Sequence, residues 1–339
     1  MADAVKKNKH LGHIIRFGVA ATAFLYFVVK NNPKGIVKDF GELHSLVFVY
    51  ALALYVAGNL VFVLRWFILL RAQLIYVSYW SAIKLHFLGL FYNNCLPGAV
   101  GGDVLRAWYI TKHTDKKIEA ALSVFVDRAI GLGCTIAMVF LSYWLIPAEG
   151  SGAELKLGTD FNLASLAAKF LIVIVAFMLL ALAILAVMYY NRKLRPILFK
   201  YTFVLLLRWT FWIGRIAKAV KIYCTKPFFL LFAVLLSFIC QAMPVYGLYL
   251  IGRNLGIEAH IKYYYIFFPL SWIIGIIPIS VGGAGVMELG IQGMFKVIGI
   301  SNKIPTLALA QRLIWLLTSI PGVFIHIMGK HLPDERDRV

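Results

Sequence analysis

The sequence predicts an all-α polytopic membrane protein, with about six full spans and two Gly/Pro-broken re-entrant segments arranged as two inverted-topology repeats. Three observations predict it. Of the 339 residues, 61% are hydrophobic and only 14% charged, with a mean hydropathy of +0.82, more apolar side chain than a soluble core of this size takes up. Several apolar runs reach the roughly 20 residues a helix needs to cross a bilayer. A Pro-x-x-Val-Gly-Gly break also occurs twice, at Pro97 and at Pro278, each time inside such a region.

The first apolar run, 14–29, has a basic flank in Lys6, Lys7, Lys9 and Arg16. That flank resembles a secretory leader, but Lys30-Asn31-Asn32-Pro33 follows without a small-residue cleavage site, so the run is read as a retained anchor. Further spans are expected at 46–70, 120–146, 163–190, 228–251 and 306–328. Two apolar regions, 80–110 and 263–298, are cut near the middle by their breaks. The loop 147–162 carries Glu149, Glu154 and Asp160 against Lys156, which suits the outer side.

The net charge of +19 does not point to nucleic acid, because the basic residues are distributed as a topology signal. Segment 191–226 holds nine Lys and Arg residues and no Asp or Glu, which places it in the cytoplasm. Trp209, Phe211 and Trp212 interleave those charges, as expected of helices lying among anionic headgroups; a role in binding lipid or a protein partner stays open. Six spans then put both termini in the cytoplasm.

The two breaks belong to longer repeats, 45–147 and 228–328, within a single membrane domain covering 1–339. Pro97-Gly-Ala-Val-Gly-Gly102 aligns with Pro278-Ile-Ser-Val-Gly-Gly283. Arg71 precedes the first proline as Arg253 precedes the second, and Arg128-Ala-Ile130 follows the first as Arg312-Leu-Ile314 follows the second. Each half reads as a span, a broken segment that enters and returns, and a span. Three full crossings separate corresponding points, so the halves have opposite orientation.

Inverted repeats interrupted at equivalent places point to a transporter with its site at the repeat interface. Glycines let backbone approach a ligand, and a following helix N-terminus favours negative charge. Gly101, Gly102, Gly282, Gly283 and Gly285 are therefore candidate binding positions, with Ser280 inside the second break. Asn93 and Asn94, just before the first break, are candidates to satisfy freed backbone or to touch substrate.

Charge at membrane depth is costly and is read by default as functional. Arg128 and Arg312, at matched positions, are the candidate pair for a phosphate headgroup, given the forked donors of the guanidinium. Asp103, Asp127 and Glu288 are candidates for balancing those charges or exchanging protons. A purely structural ion pair is the plainer alternative for them. Arg65 and Arg71 are expected to snorkel from the end of the second span, and Lys84 and His86 to lie at the interface.

Cys95, Cys134, Cys224 and Cys240 show no paired spacing. No catalytic residue, metal site or cofactor is indicated, and nucleotide-binding, zinc-hydrolase and serine-hydrolase motifs are absent from the sequence.

The stretches "NNCLPGAVGGDVLRAWYI", "VDRAIGL" and "PISVGGAGVMELGI" resemble the lysylphosphatidylglycerol synthase transmembrane-region family, which includes the flippase half of bacterial aminoacyl-phosphatidylglycerol synthase/flippase proteins. The resemblance runs from about residue 14 to 328. It implies a multi-pass protein of a bacterial-type inner (cytoplasmic) membrane that moves lipids between leaflets. It also places Asp103, Arg106, Asp127, Arg128, Glu288 and Arg312 on the family's recurrent polar positions. No aminoacyltransferase domain follows Val339, so a stand-alone member without synthase activity is expected.

The expected function is therefore a flippase for an anionic phospholipid or a polyprenyl-phosphate or glycolipid-type lipid, not an enzyme. The expected partners are membrane lipids with anionic headgroups. A separately encoded lipid-synthesising enzyme and a homodimer stay open. The rival readings are a membrane scaffold or accessory subunit of a lipid-modifying enzyme, and a membrane-embedded transferase.

Overall fold

Apolar chain in hydrocarbon has no water to satisfy its backbone, so each lipid-facing run must close its own hydrogen bonds as helix. The computed structural model describes residues 33–95, 101–112, 116–146, 225–276 and 280–328, together with residues 27, 29, 31 and 114. All of them fall in one contact unit formed by residues 1–152 and 221–339. Among the described residues there are nine helices: α1 (Pro33–Glu42), α2 (Ser45–Ala72), α3 (Tyr79–Cys95), α4 (Gly101–Lys112), α5 (Lys117–Leu145), α6 (Pro227–Asn254), α7 (Ile261–Ile276), α8 (Val286–Val297) and α9 (Ile304–Ile327).

Four of these, α2, α5, α6 and α9, are long and apolar enough to cross a membrane. They coincide with the spans expected at 46–70, 120–146, 228–251 and 306–328. The expected span 163–190, residues 191–224 of the basic segment and nearly all of 14–29 lie outside the described residues. Helix α1 was not anticipated. It starts on Pro33, whose fixed φ suits a first helical position, and it buries Ile36 while Lys34, Val37 and Lys38 stay exposed.

After α1, two series of four helices follow, each running long, intermediate, short and long. The first has 28, 17, 12 and 29 residues; the second has 28, 16, 12 and 24. The likeness extends to the cap that closes the leading helix. Leu74 at φ +58° and Gly256 at φ +77° both turn left-handed. Ile75 N–H then donates to Leu70 O at 3.0 Å, and Ile257 N–H to Gly252 O at 2.9 Å. Each is the wide bond of a Schellman ending.

The two leading helices, α2 and α6, lie antiparallel. At one end His44 N–H donates to Asn254 Oδ1 at 2.9 Å, and at the other Lys226 Nζ donates to Ala72 O at 2.9 Å. Between these ends the backbones approach over small residues, as membrane helices do. A Cβ on Gly58 would meet Cys240 O at 3.0 Å and the Pro244 ring at 3.2 Å, and one on Gly247 would meet Ala51 Cα at 3.1 Å.

Contacts between the series are reciprocal. Helix α3 packs on α9 as α7 packs on α5, and α5 packs on α6 as α9 packs on α2. Lys116 Nζ reaches Gln73 O and Leu74 O at 3.4 and 3.3 Å, so both ends of segment 73–116 lie beside the C-terminal end of α2. Asn254 and Lys303 both meet residues 42–44, so both ends of segment 254–303 lie beside its start. There Lys303 Nζ donates to Glu42 Oε2 at 2.8 Å, which lowers the Glu42 carboxyl and raises the Lys303 amine from their ordinary pKa values.

Candidate functional site

The first break sits between α3 and α4. Gly102 N–H, one of the unpaired donors at the start of α4, donates to Asn93 Oδ1 at 2.7 Å. A Cβ on Gly102 would collide with the backbone of Gly89. The glycine is thus required for α4 to fold back tightly on α3. Gly101 begins α4 and is partly buried.

The second break runs into α8 through three left-handed glycines, Gly282, Gly283 and Gly285, at φ +56°, +70° and +81°. A side chain is strained in that region of φ/ψ space. Ser280 precedes them, 1% exposed, and its hydroxyl has no hydrogen-bond partner among the described residues. Glu288, in the first turn of α8, accepts from Gly285 N–H through Oε2 at 2.7 Å and from Arg312 Nε through Oε1 at 2.6 Å. Arg312 Nη1 also donates to Gly282 O at 2.8 Å.

The expectation of two open, anion-friendly turns is met differently. An Asn93 amide oxygen occupies the start of α4, and the Glu288 carboxylate occupies the start of α8. Both are intramolecular acceptors on donors that would otherwise be free.

The two breaks meet. A Cβ placed on Gly282 would lie 3.3 Å from Asn93 O and 3.5 Å from Asn94 Cα and Oδ1. Asn93 therefore touches both breaks, bonding one through its side chain and abutting the other through its carbonyl. Asn94 returns its own amide to Leu90 O at 3.3 Å.

Behind the first break lies a buried charge cluster. Asp103, the third residue of α4 as Glu288 is of α8, accepts from Arg106 Nη1 at 3.2 Å and pairs with Arg128 Nη2 at 2.6 Å. Asp127 pairs with Arg65 Nε at 2.8 Å and faces Arg106 Nη2 at 3.8 Å. All three guanidiniums surround one ring, Phe62, at 4.3, 5.5 and 5.8 Å from its centroid for Arg65, Arg106 and Arg128. Arg106 also lies over Trp66 at 4.2 Å. Such cation–π contacts are strongest away from water.

Two expectations are corrected here. Arg65 does not snorkel: it is fully buried, and its Nη1 donates to Ser237 Oγ on α6 at 2.8 Å. Gly131 leaves the room its guanidinium occupies. His86 is not interfacial: it is 4% exposed, with Nε2 2.9 Å from Asn59 Oδ1. Asn59 Nδ2 donates to Tyr55 O, so its oxygen faces the ring and His86 carries its proton on Nε2. Arg71, by contrast, lies at the end of α2 between the Phe67 and Tyr76 rings.

Arg128 and Arg312 are thus each tied to an acid of their own series. The Arg128 side chain is 45% exposed and the Arg312 side chain 9%, so the cluster opens outward at Arg128. Sequence reasoning did not single out Phe62, Asn59 or Ser237. Ser and Asn inside long apolar runs were the signal that could have found the last two, since both must bond across helices. Among the described residues, no three His, Cys, Asp or Glu side chains are grouped as a metal site would need.

Fold and site together define a polytopic α-helical membrane protein with arginine–carboxylate pairs buried beside two helix breaks. The family described as lysylphosphatidylglycerol synthase TM region matches residues 13–322, and the chain belongs to it. A UPF0104 membrane protein of Methanothermobacter thermautotrophicus (strain Delta H) is 24% identical over 96% of this chain and 98% of its own length. A second match to a protein of that description, from the same organism, is 30% identical over 30% of this chain and 31% of the relative. No solved structure matches the chain. A membrane protein with a lipid-related role is what this membership supports.

Proposed function

We propose that this protein is a flippase that carries an anionic lipid headgroup between leaflets, through a polar cleft at the interface of two inverted repeats. One observation carries the reading. The two breaks touch through Asn93, Asn94 and Gly282, with an acid-bound arginine behind each. Irregular backbone at membrane depth persists only against protein or a wet cavity, and a transporter places such backbone where its halves meet.

In this reading Arg128, half exposed, receives the phosphate. Asp103, Asp127 and Glu288 hold the arginines in place while no lipid is bound, and the tails stay in the bilayer. The headgroup belongs to a phospholipid or to a polyprenyl-phosphate or glycolipid-type lipid. The membrane is an inner, cytoplasmic one with both termini on the cytoplasmic side, and the α2–α6 contact is the axis about which the repeats rock.

The test is leaflet exchange of headgroup-labelled anionic lipids in proteoliposomes, comparing wild type with Arg128→Ala and Arg312→Ala after each is shown to fold. Protein-dependent exchange that falls at least about tenfold in both variants is expected, the scale of one lost charge-assisted bond. No exchange by folded wild-type protein across several lipid classes would reject translocation and favour a scaffold or a transferase.

A further inference from the structure

The helices that close the two series, α5 and α9, start in different ways. A lysine precedes each, Lys116 and Lys303, and neither makes a side-chain cap. Lys116 donates to Gln73 O and Leu74 O, backbone carbonyls of its own series. Lys303 turns instead to Glu42 on α1, a helix outside both series. Helix α5 carries Glu119 in its first turn, where negative charge suits the helix dipole, whereas α9 has no acid there. Its negative charge is supplied by α1. Asp39 Oδ2 accepts from Thr306 Oγ1 at 2.7 Å, and Glu42 lies one turn further along the same helix.

Helix α1 also reaches the other arm of the corner between α8 and α9. Just before α1, Gln292 Nε2 of α8 donates to Asn31 Oδ1 at 2.6 Å, and Asn31 Nδ2 donates back to Gln292 Oε1 at 3.4 Å. Just after it, His44 N–H bonds Asn254 at the end of α6. One ten-residue helix, about 15 Å long, thus ties both arms of the corner to the start of α2. The hold is mostly polar. Ile36 is the one buried residue of α1, and the Glu42 and Lys303 side chains are 47% and 25% exposed. A segment with so few buried apolar contacts opens at low free energy. Lys303 is itself left-handed at φ +58°, a conformation that a residue with a side chain keeps only where its surroundings fix it.

We infer that α1 is a strap that fastens the α8–α9 corner to the start of α2, and that unfastening it frees the second broken segment to move. The structure holds the fastened state. The first broken segment has no such device among the described residues, since Lys116 ties its corner to carbonyls of its own series. The path between the breaks is then gated at one end, by α1.

This inference rests on the translocation reading above, and two readouts separate its failure from the failure of that reading. The first is leaflet exchange by the full-length chain in proteoliposomes, in a background without the four native cysteines. Asp39→Cys with Thr306→Cys, bridged by a short bis-methanethiosulfonate and shown by mass to be bridged, should lose exchange by about tenfold and regain it when a reductant cuts the bridge. Glu42→Cys with Lys303→Cys should behave alike. Asp39→Ala with Glu42→Ala, which keeps good helix formers in α1, should exchange lipid about tenfold faster than wild type, the scale of one lost hydrogen bond to a charged group. Bridged protein that moves lipid at the unbridged rate overturns the strap.

The second readout is amide hydrogen exchange of the full-length chain in detergent, which needs no transport. In Asp39→Ala with Glu42→Ala, residues 286–306 should exchange about tenfold faster, while residues 101–117 keep their wild-type rates. Faster exchange confined to residues 303–306 would make α1 a local cap and overturn the inference. Equal acceleration at both corners would mean general loosening and would overturn it too. Accelerated exchange over α8 in a protein that moves no lipid would remove translocation and keep the strap; lipid movement indifferent to bridging and to release would do the reverse.

Discussion

Arg65 carries a full charge at a position with no exposed surface on a 28-residue apolar helix, and it is held there by Asp127 and Ser237. Removing one partner of such a pair strands the other, at a cost of about 3–5 kcal/mol, whereas replacing both by apolar groups costs far less. Arg65→Ala should therefore lower the thermal midpoint in detergent sharply, and Arg65→Met with Asp127→Leu should be more stable than either single change. Equal destabilisation by the double variant and the sum of the singles would mean that the two side chains do not interact. The charge at Arg65 was legible in the sequence and its partner was not. A basic residue two turns from a helix end can snorkel or turn inward, and the choice depends on Asp127 arriving 62 residues later at the same depth. Arg128 shows the same limit: its position inside an apolar run was legible, but not that Asp103 already holds it.

At the scale of elements, the left-handed cap of α2 falls on Leu74, where the second series uses Gly256. Leu74 is 51% exposed, so little burial is lost in Leu74→Gly, while left-handed backbone costs a side-chain-bearing residue about 1–2 kcal/mol. Leu74→Gly should raise stability by about 1 kcal/mol or less, read as a higher midpoint of unfolding. Gly102→Ala should do the opposite, losing about 1–3 kcal/mol, because the Gly89 backbone cannot yield. Gly133→Ala, with open space around it, is the control that should be neutral or stabilising. The breaks were legible because proline and glycine mark them, and their role in fold-back packing was not, because Gly89 is a single small residue in an apolar run. Helix α1 is amphipathic, but at ten residues it is too short to stand out beside the long apolar runs. Its tie to the second series works over a defined pH window. Glu42 is depressed, so the bond is present above its ordinary carboxyl range and lost as pH falls through the lowered value. Lys303 is raised, so the bond is present below its ordinary amine range and lost as pH rises through the raised value.

The repeat is the feature of the whole molecule that the chain announces most openly, through two six-residue motifs, yet the sequence could not show that corresponding helices pair with one another. Gly58 and Gly247 allow α2 and α6 to approach back to back, and the proposed inverted repeats require equivalent loops to face opposite sides of the membrane. Tyr76 and Glu258 occupy the same place in the links after α2 and α6, and both are exposed. Single cysteines at these positions, in a background without the four native cysteines, can be tested with a membrane-impermeant maleimide. Lys226 bonds the end of α2 and closes the basic segment read as cytoplasmic. Tyr76→Cys should therefore be protected in intact cells and labelled only after permeabilisation, and Glu258→Cys should be labelled in intact cells. The reverse assignment would keep the inversion and place the basic segment outside, whereas labelling of both from one side would end the inverted-repeat model and, with it, the translocation path between the two breaks.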